Sequence, residues 1–387
     1  MDSPPFLLIE HGEIYAPEPR GTHSVLVSAS KVVKVGRVDR KALDALGVDY
    51  DVIDATDCHV VPGFVDPHEH LLGGSGEGGL SLQTPMLFLT EIVRAGITTV
   101  VGTLGVDTTM KTISGLLGHV KGLSDEGITT CMWTGGYNVP PTTVLDSVRQ
   151  DIMFIDEVVG TGEIAISDER SLSQSVEEIA TVVRDTHVGG LLTGKAGVTH
   201  FHIGEEDTRL APLRQLVEEY RIKPECLYPT HVQRNERLLD EAIDLAKRGA
   251  YVDFDVVEKD LAKWVRHYRD HGGPMDRLTV SSDSDSSTPD IFWDQLCGLV
   301  VKFGIPLEQM LPLVTQNTAR VLKLRGKGAV AAGCDADLVV LQRGTLEIRE
   351  VIARGRRMVA DGAPCVRERF LEKSSRKYEL VGDKLAE

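Results

Sequence analysis

The residues best suited to chemistry in this sequence are histidines, and the first two stand together in VDPHEH, where His68 and His70 flank Glu69. Side chains two apart on a strand share a face, so both imidazoles could reach one cation while Glu69 turns away. Taken alone, such a pair serves equally well as two packed structural histidines. Three later residues change the balance. His202 closes VTHFHI, His231 closes YPTH and Asp283 closes TVSSD. Each ends a β-like run, and the five together make a four-histidine, one-aspartate set whose nitrogen and oxygen donors suit zinc. Chance accounts poorly for all five falling at such ends. A divalent ion held this way lowers the pKa of water to about 7, which makes a nucleophile available at neutral pH.

From about Val61 to Leu299, short apolar runs alternate with longer amphipathic stretches, the pattern of parallel strands joined by crossover helices. Eight strands are predicted: VVPGFVD from Val61, ITTVVG from Ile97, ITTCMWT from Ile128, EIAISD from Glu163, VTHFHI from Val198, LYPTHV from Leu227, YVDFDV from Tyr251 and LTVSSD from Leu278. Eight such units predict an α/β fold, a closed (β/α)8 barrel of the TIM-like type, whose functional groups sit at C-terminal strand ends. Leu238, Leu239, Ile243, Leu245 and Ala246 follow a period near 3.6 and are expected to be helical core packing. The flanks differ: LLIEHGEIY, HSVLVSASKVVKVG, DADLVVLQ and REVIARGRRMV are β-rich and broken by Gly and Asp turns. Both ends are expected to meet in a small β-sandwich, formed by residues 1–60 and 327–387, around a hydrolytic barrel of residues 61–326. LEQMLPLVTQNTARVLKL from Leu307 is predicted as one amphipathic helix on the barrel wall, and the charged segment after Arg367 as loosely ordered.

With 387 residues and 42% hydrophobic content, the chain can bury one barrel and a smaller appended unit. Its formal charge of −16 disfavours nucleic acid and anionic membrane surfaces as partners, since both would be repelled over most approach directions. The six cysteines (Cys58, Cys131, Cys226, Cys297, Cys334, Cys365) form no CxxC pair and no dense framework. A reducing compartment is the simpler reading. The opening MDSPPFLLIEHGEIY has no basic start followed by a long apolar run, and no stretch approaches about 18 uninterrupted apolar residues. A cytoplasmic location is expected.

The succession PGFVDPHEH, THFHIGE, PTHVQRN and SSD resembles the amidohydrolase superfamily, and the surrounding residues are most similar to the isoaspartyl (β-aspartyl) dipeptidases. The similarity extends over nearly the whole chain, the DADLVV segment included. It implies a metal-dependent hydrolase that cleaves the β-aspartyl amide bond of dipeptides, with two zinc ions per chain and a homo-oligomeric assembly. Carried over residue by residue, it implies that His68, His70 and Asp283 hold one ion and His202 and His231 the other. Asp283 would take the proton of the attacking water and pass it to the leaving amine, while Tyr137 in TGGYNVP would polarise the scissile carbonyl. Glu77 in GGSGEGG would bind the substrate's amine, and Arg170 in ISDERS and Arg234 in THVQRN its carboxylates. Ser287 would add a hydrogen bond, and Ser75 completes the substrate-binding set. A substrate with two carboxylates and one amine requires such a mixture of fixed charges.

One position departs from the family. Where its members bridge the two ions with a carboxylated lysine at the end of the fourth strand, this chain has Glu163. Glutamate carries its carboxylate about three bonds nearer the backbone, a shortfall of roughly 3 to 4 Å. The ions could sit closer to the fourth strand, the strand could shift inward, or a single ion could fill tightly. Glu163 is read as a bridging ligand in a rearranged binuclear site, in preference to a single-metal enzyme. His200 shares a face with His202 one layer deeper. It is read as part of a polar barrel layer, the other reading being a partner that orients a ligand. One of Asp253 and Asp255, which also share a face, is expected to hydrogen-bond a ligating histidine. His11, His23, His59, His119, His187, His267 and His271 are read as surface or packing residues. Two other functions compete: another amidohydrolase, acting on a cyclic amide or an N-acyl amino acid, and a scaffold barrel without catalysis. A cyclic amide offers no free amine for Glu77, and a scaffold has no need of all four histidines and Asp283.

Overall fold

A computed structural model describes residues 5–285 and 287–375. Five strands come first: β1 (Phe6–Tyr15), β2 (Pro19–Ser28), β3 (Lys31–Gly36), β4 (Tyr50–Asp54) and β5 (Cys58–Pro62). Eight follow: β6 (Phe64–Glu69), β7 (Ile97–Gly102), β8 (Thr129–Thr134), β9 (Val158–Ile166), β10 (Thr199–Ile203), β11 (Leu227–Thr230), β12 (Val252–Asp255) and β13 (Leu278–Ser281). The last are β14 (Leu338–Gln342), β15 (Ile348–Ala353), β16 (Arg356–Ala360) and β17 (Ala363–Pro364).

Strands β6 to β11 run parallel in one sheet in chain order, and β12 pairs in parallel with β13. The circuit closes because β12 lies against β11 and β13 against β6. Backbone hydrogen bonds fix the second seam, with Asp283 N–H donating to His68 O at 3.0 Å and His70 N–H to Ser284 O at 3.1 Å. All eight expected strands are therefore present in a TIM-like barrel, with helices outside. The helix Glu236–Lys247 shows why: Asn235 caps its first turn by accepting from Leu238 N–H, and the expected stripe from Leu238 to Ala246 is buried.

Three elements differ from expectation. VVPGFVD changes sheets at Gly63, because Val61 and Pro62 finish β5 against β14 while Phe64 starts β6. The fourth barrel strand begins at Val158, not Glu163. A Cβ at Gly160 would lie 2.3 Å from Val198 O and 2.8 Å from the Trp133 ring, so the close approach needs glycine. The segment from Leu307 is two short helices, Leu307–Met310 and Gln316–Val321, separated by the 3-10 turn Leu311–Val314. Pro312 lacks the N–H that a continuous helix would use.

The two chain ends do meet. They form one nine-stranded sheet in the order β17-β16-β15-β14-β5-β1-β2-β3, with β4 also paired to β1. Among the described residues β5 pairs with β1 on one edge and β14 on the other, which joins the strands of both chain ends into one hydrogen-bonded sheet. Ile9, Val25, Val60, Leu338 and Ile352 share one buried cluster, so strands from both termini have a common core. Lys327 ties this sheet to the barrel, donating to Thr129 Oγ1 at 2.6 Å and pairing with Asp337 and, at 3.0 Å, with Asp335. Beyond Arg367, Glu368 accepts from Thr90 N–H and Oγ1–H, and Arg369–Lys373 forms a 3-10 turn. That part of the tail is docked, and residues 376–387 lie outside the described residues. All six cysteines are free thiols. Among the described residues, no helix is long and apolar enough to cross a membrane.

Candidate metal centre and active-site cavity

The chain positions its inward-pointing donors with backbone devices at the strand ends. Asp66 accepts from His68 N–H at 3.0 Å and from Ser282 N–H at 3.0 Å, which locks β6 to β13 and sets His68 opposite Asp283. His231 and Asp283 have φ of +60° and +47°, a region costly for residues with a Cβ and typical of functional sites. Glu163 is delivered by a β-bulge. Thr161 pairs with Thr199 and Ile164 with Phe201, so Gly162 and Glu163 together face His200. Bulges bend a strand and re-aim a side chain, and a Cβ on Gly162 would come within 2.7 Å of His200 Cβ.

The donors converge. His68 Nε2 lies 3.4 Å from Glu163 Oε1 and 3.3 Å from Asp283 Oδ1, while His70 Nε2 lies 3.5 and 3.2 Å from the same two oxygens. A tetrahedral zinc site with arms of about 2.1 Å has edges of about 3.4 Å. The four nitrogen–oxygen distances are close to that length. The other oxygen, Glu163 Oε2, faces His202 Nδ1 at 3.2 Å and His231 Nε2 at 3.8 Å. Asp283 Oδ2 is 3.9 Å from His231 Nε2. His68 Nε2 and Glu163 Oε1 are buried with no hydrogen-bond partner among the described residues. Buried polar atoms left in that condition are costly, and a cation between them would satisfy both. The donor set therefore fits divalent metal.

Electrostatics agree with the geometry. Burial opposes the charge on His68, yet Glu163 and Asp283 pull it up to about 9. His231 rises to about 10 against the same burial, drawn by Asp255 and Glu163. Glu163 and Asp283 are buried too, but the surrounding imidazoles hold both carboxylates well below their usual range. Protons on the histidines thus occupy the place that suits a cation.

Two neighbours fix which nitrogen faces inward. Asp255 Oδ2 accepts from His231 Nδ1–H at 2.7 Å, leaving Nε2 toward Glu163. Asp253 instead accepts from Thr230, Thr279 and Ser281, so Asp255 is the member of the pair that orients a ligand candidate. His200 corrects the reading of a generic polar layer. Its Nδ1–H donates to Tyr228 O at 2.9 Å, and its Nε2 then accepts from His68 Nδ1–H at 3.1 Å. This relay leaves the His68 Nε2 lone pair for the centre, which is how ligating histidines are commonly held. Strand alternation placed His200 on the correct face but could not show that its ring reaches His68.

The centre opens into a cavity of ≈ 970 Å³ lined by Tyr137, Glu77, Arg170, Arg234 and Ser75 among others. Tyr137 Oη lies 2.9 Å from His202 Nδ1. Burial and the nearby Glu163 hold its phenol well above the ordinary value, so it stays a donor. Arg170 pairs with Glu77 at 2.8 Å and is gripped by Asp168 through Nε and Nη2 at 2.8 and 2.7 Å. Arg234 Nε donates to Ile203 O at 2.9 Å. Ser75 accepts from Asp107 N–H at 3.4 Å. Ser287, expected beside the substrate, is not among the described residues that line the cavity, whereas Asp285 is. Sequence reading missed Asp168 and Gln233, which both line it. Their only signals were positions, two residues from Arg170 and from His231. A further trio, Asp240, His267 and His271, is grouped on the surface and lines no part of this cavity.

The amidohydrolase family model matches residues 59–358. The chain belongs to the amidohydrolase family. Among solved structures it is similar to the β-aspartyl dipeptidase of the thermophilic, keratin-degrading Fervidobacterium islandicum AW-1, at 35% identity and a TM-score of 0.88, covering 93% of this chain and 99% of that one. A second structure of that dipeptidase, in complex with the β-Asp-Leu dipeptide, gives 34% identity and a TM-score of 0.89 over 95% and 99% of the two chains. The imidazolonepropionase of Ruegeria sp. (strain TM1040) is 22% identical over 343 residues, 77% of this chain and 82% of the relative. An amidohydrolase barrel and a hydrolytic role thus rest on the family match and on the likeness to the β-aspartyl dipeptidase structures.

Proposed function

We propose that this amidohydrolase cleaves the β-aspartyl amide bond of dipeptides, using two zinc ions bridged by Glu163. Glu163 carries the reading. One carboxylate oxygen faces His68 and His70 and the other faces His202 and His231, an arrangement suited to two cations sharing one carboxylate. The bulge in β9 supports an inward shift of the strand as the compensation for a side chain shorter than carboxylated lysine.

His68, His70 and Asp283 would hold one ion and His202 and His231 the other. Bound there, zinc supplies a Lewis acid and a water of lowered pKa. The chain's own residues do the rest. Asp283, a carboxylate kept ionised by its imidazole neighbours, accepts a proton from the attacking water as the C–O bond forms. It returns that proton to the amide nitrogen as the C–N bond breaks. Tyr137 donates its O–H to the carbonyl oxygen as negative charge develops there. Glu77 receives the substrate's ammonium, and Arg170 and Arg234 receive its carboxylates.

Elemental analysis of protein purified without chelator, together with assays on β-Asp-Leu, dihydroorotate and hydantoin, tests the proposal. About two zinc ions per chain and turnover of β-Asp-Leu alone are expected. One ion per chain with full activity would remove the bridge, and preference for a cyclic amide would remove the substrate.

A further inference from the structure

Gln233 has no part in the mechanism above, although it lines the cavity and stands two residues after His231. Its side-chain nitrogen donates to Asp255 Oδ2 at 2.6 Å and to Asp255 O at 3.2 Å. Both partners are acceptors, so the amide has only one orientation that works: Nε2 toward Asp255 and Oε1 away from it. Gln233 is 6% exposed, and its Oε1 is buried with no hydrogen-bond partner among the described residues. The unanswered acceptor belongs to a residue that lines the cavity, and it can take a donor from a bound molecule once the side chains that cover the oxygen move aside.

The remaining substrate contacts say which donor. On the dipeptidase reading, on which this inference rests, a β-aspartyl dipeptide offers two N–H donors, the ammonium of the aspartyl residue and the scissile amide N–H. Glu77 is the anion for the ammonium. Arg170 is paired with Glu77 at 2.8 Å, so it takes the carboxylate that shares a carbon with the ammonium. Arg234 is then left for the carboxylate of the leaving residue. That carboxylate and the scissile N–H are attached to one carbon, and Gln233 is the neighbour of Arg234 in sequence. A neutral acceptor also matches a neutral N–H better than an ammonium.

We propose that Gln233 Oε1 accepts the N–H of the scissile amide, while its Nε2 steadies Asp255 and through it His231. Holding the N–H fixes which face of the nitrogen is left for the proton delivered by Asp283. The residue therefore makes the site selective for amides over esters of otherwise equal shape.

The test compares β-Asp-Leu with its depsipeptide analogue, in which oxygen replaces only the scissile N–H. In zinc-loaded Gln233→Met the kcat/KM for the amide should fall about 10- to 100-fold, the range of one lost buried hydrogen bond. The ester should fall by a smaller factor, set by the lost support of Asp255 alone, so that the amide-to-ester ratio drops about tenfold or more. The amide-to-ester ratio is read within one sample, so partial loss of folded or metal-loaded protein cancels. Gln233→Asn, which keeps the amide but withdraws it, should shift the ratio the same way and serves if the methionine variant fails to fold. Equal loss on both substrates would overturn the proposal and reduce Gln233 to a prop for Asp255. If the wild-type enzyme turns over neither compound, the dipeptidase reading itself fails, which is a separate outcome.

Discussion

Replacing Glu163 by glutamine changes one atom and removes one charge, and the structure says how much that should cost. The side chain is fully buried, and four imidazole nitrogens surround it at 3.2, 3.4, 3.5 and 3.8 Å. An amide can offer an oxygen to only one of the two histidine pairs. Its NH₂ would face the other pair, whose lone pairs are needed for a cation. One ion site is therefore opposed directly. Breaking a buried, charge-compensated set by removing one partner costs about 3–5 kcal/mol, which corresponds to roughly 100- to 3,000-fold in affinity for the weaker ion. The assay is zinc titration of chelator-stripped protein against a competing indicator, with elemental counting at the end point and circular dichroism as a folding control. The Glu163→Gln protein should retain about one ion under conditions that give the wild type about two, with kcat reduced in parallel. Two ions held at wild-type affinity would show that Glu163 is not shared between them, and the bridge would have to be abandoned.

Zinc affinity should also depend steeply on pH. In the metal-free chain His68 and His231 are raised to about 9 and about 10, so below pH 9 zinc must displace their protons, and apparent affinity should rise with pH by up to about tenfold per unit for each proton released. A flat profile between pH 6.5 and 8.5 in the same indicator titration would contradict this. His200→Leu should lower zinc affinity or activity about 10- to 100-fold, because His68 loses the acceptor that fixes its tautomer; a packing role alone would lower Tm and leave zinc affinity intact. Lys327→Met should destabilise the fold by about 3–5 kcal/mol by stranding the buried Asp337, without changing kcat of the folded fraction. Part of that deficit belongs to Asp335, which is half-buried but held below its ordinary value by Lys31 and Lys327. Such a group stabilises above its unfolded value and loses that contribution as pH falls through its folded one, so the Tm gap between variant and wild type should narrow below about pH 4.

The barrel was legible because its strands are apolar runs at regular spacing, and the donors were legible because strand ends are where a barrel presents chemistry. His68, His70, His202, His231 and Asp283 were all found that way. What stayed hidden depends on side-chain reach and on chain irregularity. The VVGTG start of β9 falls outside the predicted strand, since glycine weakens a strand pattern and the need for Gly160, the proximity of Trp133 and Val198, exists only in the fold. The bulge that turns Glu163 inward exists only in the pairing with β10. Asp168 carries no signal beyond its place two residues before Arg170, and its grip on Arg170 depends on the side-chain conformations of the loop after β9. Pro312 was visible, but its effect on the helix from Leu307 was outweighed in the sequence by a persuasive apolar period.

The acidic character of the chain poses one remaining problem, because the proposed substrate carries two carboxylates into a cavity walled by Asp168, Glu169, Glu205 and Glu206. Arg170 and Glu77 resolve it. Arg170 keeps Asp168 through Nε and Nη2, and Glu77 occupies only its Nη1 at 2.8 Å. Glu77 is more than half exposed and free to swing, whereas Asp168 is buried. A zwitterionic aspartyl head can open that pair, giving its carboxylate to Arg170 and its ammonium to Glu77, with no change in net charge. An N-acylated head would displace Glu77 and return nothing to it. N-acetyl-β-Asp-Leu should therefore be hydrolysed about 10- to 100-fold less efficiently than β-Asp-Leu, the range of a lost charged hydrogen bond, and Glu77→Gln should erase most of that difference. Equal turnover of the two compounds would favour an N-acyl amino acid hydrolase and remove the role assigned to Glu77.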